Sequence, residues 1–302
     1  MVRSTRRLTR SGVLLAIALL ALLACGGTTA TMDSGSADKS VKIALSAGFD
    51  EDIAVTYLWK ELLEERGYSV EIPKLELEQS WVGVAQEQVD LYLDAWLPTT
   101  HQPYWEKFGD KLEIVSKWYS PAANNLAVPD YMTDVNTLED LKGRESEFDN
   151  HIVGIEPDTG LMRLTREAVI PEYGLEGYQL VVSSTPAMLS SLDQAIAAEA
   201  PIVVTLWTPH WAFTKYPIKA LQDPKGAFGK PDTAMAVASK GFAKAHPDVA
   251  GWLGKFKLND EQLGSLELLI RQKGDGNEQT AAAEWITHNE EVVDSWFRSP
   301  GA

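Results

Sequence analysis

The sequence predicts an α/β protein made of two lobes, with a ligand cleft between them. Strand-like and helix-like patterns alternate through most of the chain, which is typical of sheets whose strands are connected by helices. At 302 residues the chain is also longer than an average domain, and two segments look like crossings between lobes. We therefore expect lobe I to consist of residues 41–120 and 221–302, and lobe II of residues 121–220.

The first 25 residues have the pattern of a lipoprotein signal peptide. Four arginines precede an apolar run, Val13 to Leu23, that is too short for a comfortable membrane span. The run ends at Cys25 in the letters LLAC, which resemble the lipobox of bacterial lipoproteins and imply that this cysteine is lipidated. An incidental buried cysteine is the alternative. No second cysteine exists, so an internal disulfide is excluded, and residues 26–40 have the composition of a flexible tether.

In lobe I, apolar and β-branched runs predict strands, and apolar residues at helical spacing predict helices. The predicted elements are, in order, strand 41–45, a helix from Ile53 to the stop signal at Gly67, strand 68–77, a short helix at 80–85, strand 90–97 and a short helix through 104–108 capped by Thr99 or Thr100. Extended segments at 112–119 and 126–129 flank the first crossing. After Ala234 the pattern is helical, at 249–256, 260–270 and 279–297.

The same rules applied to lobe II predict a second alternating set of elements. These are a short helix at 136–141, strand 151–155, helix 161–169, strand 178–182, a helix from Pro186 to Ala198 and a strand that begins at Pro201. Residues 216–224 then return the chain to lobe I.

Two of the predicted strands end in nearly the same way, with tryptophan, then proline, then histidine. One contains Trp96 and is followed by His101, and the other contains Trp207. Proline stops sheet pairing because it has no N–H to donate, so both indoles lie near the carboxyl ends of strands. Ligands bind at that edge of an open α/β sheet. Phe49, at the end of the first strand, is a third candidate for the same wall.

Several aromatic faces together suit a quaternary ammonium group. Such a cation has no N–H to donate, but its charge and its apolar surface both match an aromatic ring, at about 0.5–2 kcal/mol for each face. Core packing is the alternative for any single tryptophan. Three aromatic residues at three strand ends favour the binding site.

The segment 154–162, with the letters GIEPDTGLM, predicts a site for an anion. The backbone N–H groups of Gly160 and Leu161 at the start of a helix can bind a carboxylate, and His101 can donate a further hydrogen bond to it. An ammonium among aromatic rings and a carboxylate at a helix start together indicate a zwitterion.

Composition argues against other classes of function. The net charge of −16 without a basic stripe argues against nucleic acid as a partner. His101 and His210 lack the spacing of a zinc site, and no nucleophile elbow, phosphate-binding loop or dinucleotide fingerprint is present. We expect no catalytic residue, no metal and no cofactor.

The segments 94–101, 154–162 and 202–211 together resemble the substrate-binding proteins of glycine betaine ABC importers. The resemblance implies a type II periplasmic binding protein fold and a ligand delivered to a membrane permease with its ATPase. It also implies cage tryptophans at Trp96 and Trp207 and carboxylate donors at His101, Gly160 and Leu161. The lipoprotein branch of this family has a third cage tryptophan where this chain has Phe49.

We therefore expect an extracytoplasmic, lipid-anchored solute receptor for glycine betaine or a related osmolyte. Two alternatives stay open: a receptor for choline or another quaternary amine, and an extracytoplasmic enzyme acting on a small zwitterion.

Overall fold

The computed structural model describes residues 39–46 and 48–298, so the signal peptide, Cys25 and most of the tether lie outside the described residues. Within the described part of the chain, ten strands form one mixed sheet. They are β1 (Ser40–Ser46), β2 (Ser69–Glu71), β3 (Lys74–Leu75), β4 (Leu91–Leu97), β5 (Leu112–Pro129), β6 (His151–Val153), β7 (Gln179–Val181), β8 (Val204–Thr208), β9 (Ile218–Ala220) and β10 (Asp232–Ser239).

Twelve α-helices accompany the strands in the same residues. They are α1 (Asp50–Glu64), α2 (Leu77–Ala85), α3 (Gln102–Phe108), α4 (Gly160–Leu164), α5 (Ile170–Tyr173), α6 (Thr185–Ala197), α7 (Ala212–Lys215), α8 (Phe242–Ala245), α9 (Pro247–Leu253), α10 (Asp260–Lys273), α11 (Glu278–His288) and α12 (Glu290–Phe297). A π-helical turn at Thr165–Val169 joins α4 to α5. None of the helices in the described residues is long and apolar enough to cross a membrane.

The sheet has two halves that share the long strand β5. The strand order is β2-β1-β4-β10-β5-β8-β6-β7, with β3 beside β1 and β9 beside β5. Leu112 to Ala122 of β5 pair with β10, whereas Ala123 to Ala127 pair with β8. Both partners are antiparallel to β5, β10 is also antiparallel to β4, and β9 is antiparallel to β5. The pairs of β1 with β2, β3 and β4, and of β6 with β7 and β8, are parallel.

The two extended segments predicted at 112–119 and 126–129 are parts of one strand, because β5 continues through the intervening residues 120–125. The sequence pattern also predicts helix after Ala234, but residues 232–239 form the strand β10. This strand is rich in alanine, and it is buried between β4 and β5, so it lacks the alternation of a half-exposed strand. The helix predicted at 279–297 is interrupted at Asn289, which separates α11 from α12.

Several of the ten tryptophans of the chain lie in the core around α1. Trp59 meets Phe256 edge-to-face, with 5.4 Å between ring centroids, and stacks on Trp296, with 6.3 Å between ring centroids. Trp118 of β5 also stacks on Phe256, with 5.5 Å between ring centroids. Removing a buried aromatic ring of this kind costs about 3–5 kcal/mol of unfolding free energy. These rings fix α1, whose first residues form part of the site described next.

Candidate functional site

A cavity with about 350 Å³ of space not occupied by protein atoms lies where strands of both sheet halves end. The structure brings all six residues singled out from the sequence to this cavity, namely Phe49, Trp96, His101, Gly160, Leu161 and Trp207. It adds six lining residues that the sequence reasoning missed, namely Glu51, Asp94, Thr100, Asn124, Ile155 and Thr159.

The aromatic walls come from both halves of the sheet. Trp96 lies on β4 and Trp207 on β8, and each of these strands ends just before a proline, as predicted. Phe49 directly precedes α1, is only partly buried, and meets Trp207 edge-to-face at 6.1 Å between ring centroids. Aromatic faces on one cavity give a cation more than one ring to contact.

Buried carboxylates hold the two indoles. Trp96 Nε1 donates a hydrogen bond of 2.7 Å to Asp94 Oδ1, and Trp207 Nε1 donates one of 3.0 Å to Glu51 Oε2. One sequence signal could have identified Asp94, since residues two apart on a strand share a face and Asp94 precedes Trp96 by two. Glu51 gave no comparable signal, because its partner Trp207 is 156 residues away.

Burial shifts the proton equilibria of these carboxyl groups. It raises the pKa of Asp94 to about 7. Burial, together with repulsion from Asp94 and Glu267, raises the pKa of Glu51 well above its usual value. A negative charge in this wall is therefore unfavourable unless a cation lies nearby.

His101 is oriented by the strand that precedes it. Its Nδ1 accepts a hydrogen bond of 2.9 Å from the backbone N–H of Trp96, which leaves the ring proton on Nε2. Burial, with a contribution from the charge of Arg163, lowers the pKa of His101 to about 3. At neutral pH the ring is uncharged, and its Nε2–H can donate to an anion.

Gly160 and Leu161 begin α4, and Thr159 caps this helix by accepting a hydrogen bond of 3.3 Å from the N–H of Met162. The first N–H groups of a helix have no acceptor within it, so the amides of Gly160 and Leu161 can bind an anion. A Cβ atom on Gly160 would lie 2.3 Å from the carbonyl oxygen of Thr100. Only glycine fits here, since the helix start and the loop after β4 are in direct contact.

The loop after β4 is fixed by Asp232 of β10. Its carboxylate accepts hydrogen bonds from the N–H groups of Thr99 and Thr100, at 2.6 and 3.0 Å, and Asn124 Nδ2 donates one of 2.7 Å to Thr100 Oγ1. The sequence suggested that Thr99 or Thr100 caps α3. Instead, His101 occupies the N-cap position of this helix.

Two further contacts join this region to the other sheet half. Arg163 Nη2 of α4 donates to the carbonyl oxygens of Thr99 and Thr100, at 3.3 and 3.4 Å. The hydroxyl of Tyr104 on α3 donates to the carbonyl oxygen of Asp158 at 3.2 Å. Together with the contact of Gly160 on Thr100, these bonds link the two sheet halves next to the cavity.

The described residues contain no group of three or more His, Cys, Asp or Glu side chains arranged to hold a metal ion. His210 is the second histidine that follows a tryptophan and a proline. Its Nε2 lies 3.3 Å from Oδ2 of Asp50, and its ring packs against Trp207 with 4.7 Å between ring centroids.

Comparison with known proteins relates this site to a family. Residues 39–288 match the family described as the substrate binding domain of an ABC-type glycine betaine transport system. The glycine betaine/carnitine transport binding protein GbuC of Listeria monocytogenes is 37% identical over 147 residues, which are 48% of this chain and 48% of that protein. The chain thus spans about half the length of this curated relative.

The similarity to solved structures extends over a larger part of the chain than the similarity to GbuC. The glycine betaine, L-proline-binding protein ProX of Borrelia burgdorferi has a TM-score of 0.80 at 30% identity, over 86% of this chain and 97% of that one. Lactococcal OpuAC, solved closed with glycine betaine, has a TM-score of 0.80 at 32% identity, over 86% of this chain and 100% of that one. A choline-binding protein shares the fold, with a TM-score of 0.77 at 23% identity, over 86% of this chain and 91% of that one.

The predicted two-lobed type II periplasmic binding protein fold, with its ligand cleft between lobes, is confirmed by these likenesses. The family match covers most of the chain and includes every residue that lines the cavity. The chain belongs to the family of substrate-binding domains of ABC-type glycine betaine transport systems.

Proposed function

We propose that this protein is an extracytoplasmic receptor that binds glycine betaine, or a closely related quaternary-ammonium zwitterion, for an ABC importer. The observation that carries the proposal is the composition of one cavity. It is lined by aromatic rings suited to a cation and by neutral donors, at His101 and the start of α4, suited to a carboxylate. The related proteins are named for binding glycine betaine, carnitine and proline, which supports the same class of ligand.

In this proposal the trimethylammonium group contacts the faces of Trp96 and Trp207 and the ring of Phe49. The carboxylate accepts hydrogen bonds from His101 Nε2 and from the amides of Gly160 and Leu161. Both ends of the ligand leave water, and in such a site each cation–π contact contributes about 2 kcal/mol. Binding makes and breaks no covalent bond, and the family is one of receptors, so we assign no catalytic residue.

Glycine betaine should bind at least about tenfold more tightly than choline, which lacks the carboxylate and so leaves donors buried without an acceptor. Isothermal titration with both ligands, and with proline betaine and dimethylsulfoniopropionate, measures this preference. A ligand at about 100 times its Kd also stabilises the protein by about 2.7 kcal/mol, so a thermal-shift screen including carnitine and amino acids identifies other candidates. Equal affinity for choline would contradict the zwitterion site.

A receptor for choline is the second candidate, because Glu51 and Asp94 line the cavity and a bound cation favours their ionised forms. The same titration separates it from the first. Recovery of unchanged ligand after saturation binding separates either receptor from an enzyme.

We propose lobe boundaries at the two passages between sheet halves, with residues 41–120 and 221–302 in lobe I and 121–220 in lobe II. The support is that β5 pairs with one half up to Ala122 and with the other from Ala123. On ligand binding the lobes close, and the closed form is recognised by a permease that works with an ATPase.

We propose that Cys25 carries a lipid that anchors the protein to the outer face of the cytoplasmic membrane or within the periplasm. The signal-like segment before Cys25 supports this. Expression of the full chain in a bacterial host with radiolabelled palmitate should label the wild type, and Cys25→Ser should remove both the label and the membrane association. An unlabelled wild type whose signal segment has been cleaved would contradict the anchor.

A further inference from the structure

Two carboxylates in the cavity wall have the same arrangement. Glu51 and Asp94 are about 3% and 2% exposed, both line the cavity, and each accepts the indole N–H of one tryptophan. The two pairs come from different parts of the chain, since Glu51 lies on α1 and its partner Trp207 on β8, whereas Asp94 and Trp96 both lie on β4.

We propose that Glu51 and Asp94 are the positioning and charge-selecting residues of the site, which make it distinguish a permanent cation from an uncharged group of the same shape. This inference rests on the proposed function. A hydrogen bond from the indole edge to a carboxylate fixes the ring orientation and raises the electron density of its face. The carboxylate itself also attracts the cation through a medium that water does not screen.

Among the described residues, no cationic side chain pairs with either of the two carboxylates, so a ligand cation can take that position. In residues 39–46 and 48–298, neither carboxylate forms an ion pair with a Lys, Arg or His side chain. The titratable or charged groups near them are Asp50 and Asp52 of α1, Tyr92 of β4, His101 before α3, Arg163 of α4, His210 after β8, and Glu267 and Arg271 of α10.

These neighbours do not neutralise the wall. His101 is uncharged at neutral pH, Arg163 donates to carbonyl oxygens of the loop after β4, and Arg271 and His210 lie near Asp50. Without a counter-ion, burial favours the protonated forms of these two groups, and a ligand cation favours their ionised forms. An uncharged ligand of the same shape does not.

The test compares glycine betaine with 3,3-dimethylbutanoate, in which carbon replaces the ammonium nitrogen. The wild type should prefer glycine betaine by at least about a hundredfold, and Glu51→Gln and Asp94→Asn should each reduce this ratio at least about tenfold. The amides keep an oxygen acceptor for the indole N–H, so a purely structural role would leave the ratio unchanged. Melting temperatures report folding.

Asp90→Asn is the matched control, because Asp90 also accepts an N–H, that of the Lys42 backbone at 2.7 Å, but is only partly buried and does not line the cavity. It should change the ratio by less than about threefold. An unchanged ratio in both wall variants, or an equal loss in the control, would overturn the assignment. No binding of glycine betaine by the wild type would instead refute the proposed function.

The wild type provides a second test that needs no variant. A bound cation lowers the raised pKa values of Glu51 and Asp94, so binding releases protons and affinity rises with pH. Affinity for glycine betaine should increase between about pH 5 and pH 8, while affinity for 3,3-dimethylbutanoate should not. His101, with a pKa of about 3, does not titrate in this range. A flat profile for glycine betaine would overturn the charge-selecting role.

Discussion

Gly160→Ala should weaken binding of glycine betaine by at least about a hundredfold, because the helix start and the loop after β4 can no longer meet. A methyl group at this position would lie 2.3 Å from the carbonyl oxygen and 2.5 Å from Cγ2 of Thr100. Thr100 is itself held by Asp232 and Asn124, so it cannot move away easily. In the open form that the proposed closure implies, the helix start and this loop separate, so we expect the melting temperature without ligand to stay near the wild-type value.

Gly264→Ala is the matched control for this variant. Gly264 lies within α10, and a Cβ atom there meets nothing within 4 Å, so the same chemical change should leave affinity intact. Small-angle scattering adds the structural readout: wild type and control become more compact with saturating ligand, and Gly160→Ala does not. Wild-type affinity and compaction in Gly160→Ala would contradict closure through this contact.

Replacing a cage tryptophan should have an effect of similar size. Trp96→Leu and Trp207→Leu keep an apolar side chain but remove the aromatic face, and each should reduce the binding free energy of glycine betaine by about 2–3 kcal/mol, or roughly 30- to 150-fold. Phe49→Leu removes a smaller ring that is only partly buried, and it should reduce the binding free energy by about 0.5–2 kcal/mol. Titration calorimetry measures all three changes.

Trp118→Leu serves as the control for the cage variants. Trp118 is buried on β5, stacks on Phe256 and donates its indole N–H to the carbonyl oxygen of Leu93, away from the cavity. This variant should lower the melting temperature and retain wild-type affinity. If Phe49→Leu lowers the melting temperature without changing affinity, then Phe49 is a core residue, and the cage has two aromatic walls.

The residues of the candidate site that could be predicted are those with a local signal. Trp96 and Trp207 each precede a proline that ends a strand, and Gly160 begins a helix after a turn, so a short stretch of sequence is enough to place them. Phe49 was expected at the end of the first strand and lies instead immediately before α1, which begins three residues earlier than predicted.

What the sequence could not reveal depends on contacts between distant segments. Asp232 fixes a loop 132 residues away, and it lies on β10, a strand that is recognisable only from its pairing with β4 and β5. The continuity of β5 through 120–125 likewise depends on partners in both halves of the sheet. An alanine-rich strand and a proline-containing crossing have no distinct local pattern, so tertiary pairing decides both.

The contacts that link the two sheet halves next to the cavity are made to main-chain carbonyl oxygens. Arg163 donates to the carbonyl oxygens of Thr99 and Thr100, Tyr104 donates to that of Asp158, and the backbone of Gly160 abuts the carbonyl of Thr100. A carbonyl acceptor is present whichever side chain its residue carries. Substitutions in the cavity wall can therefore change the ligand preference while the acceptors of these contacts remain in place.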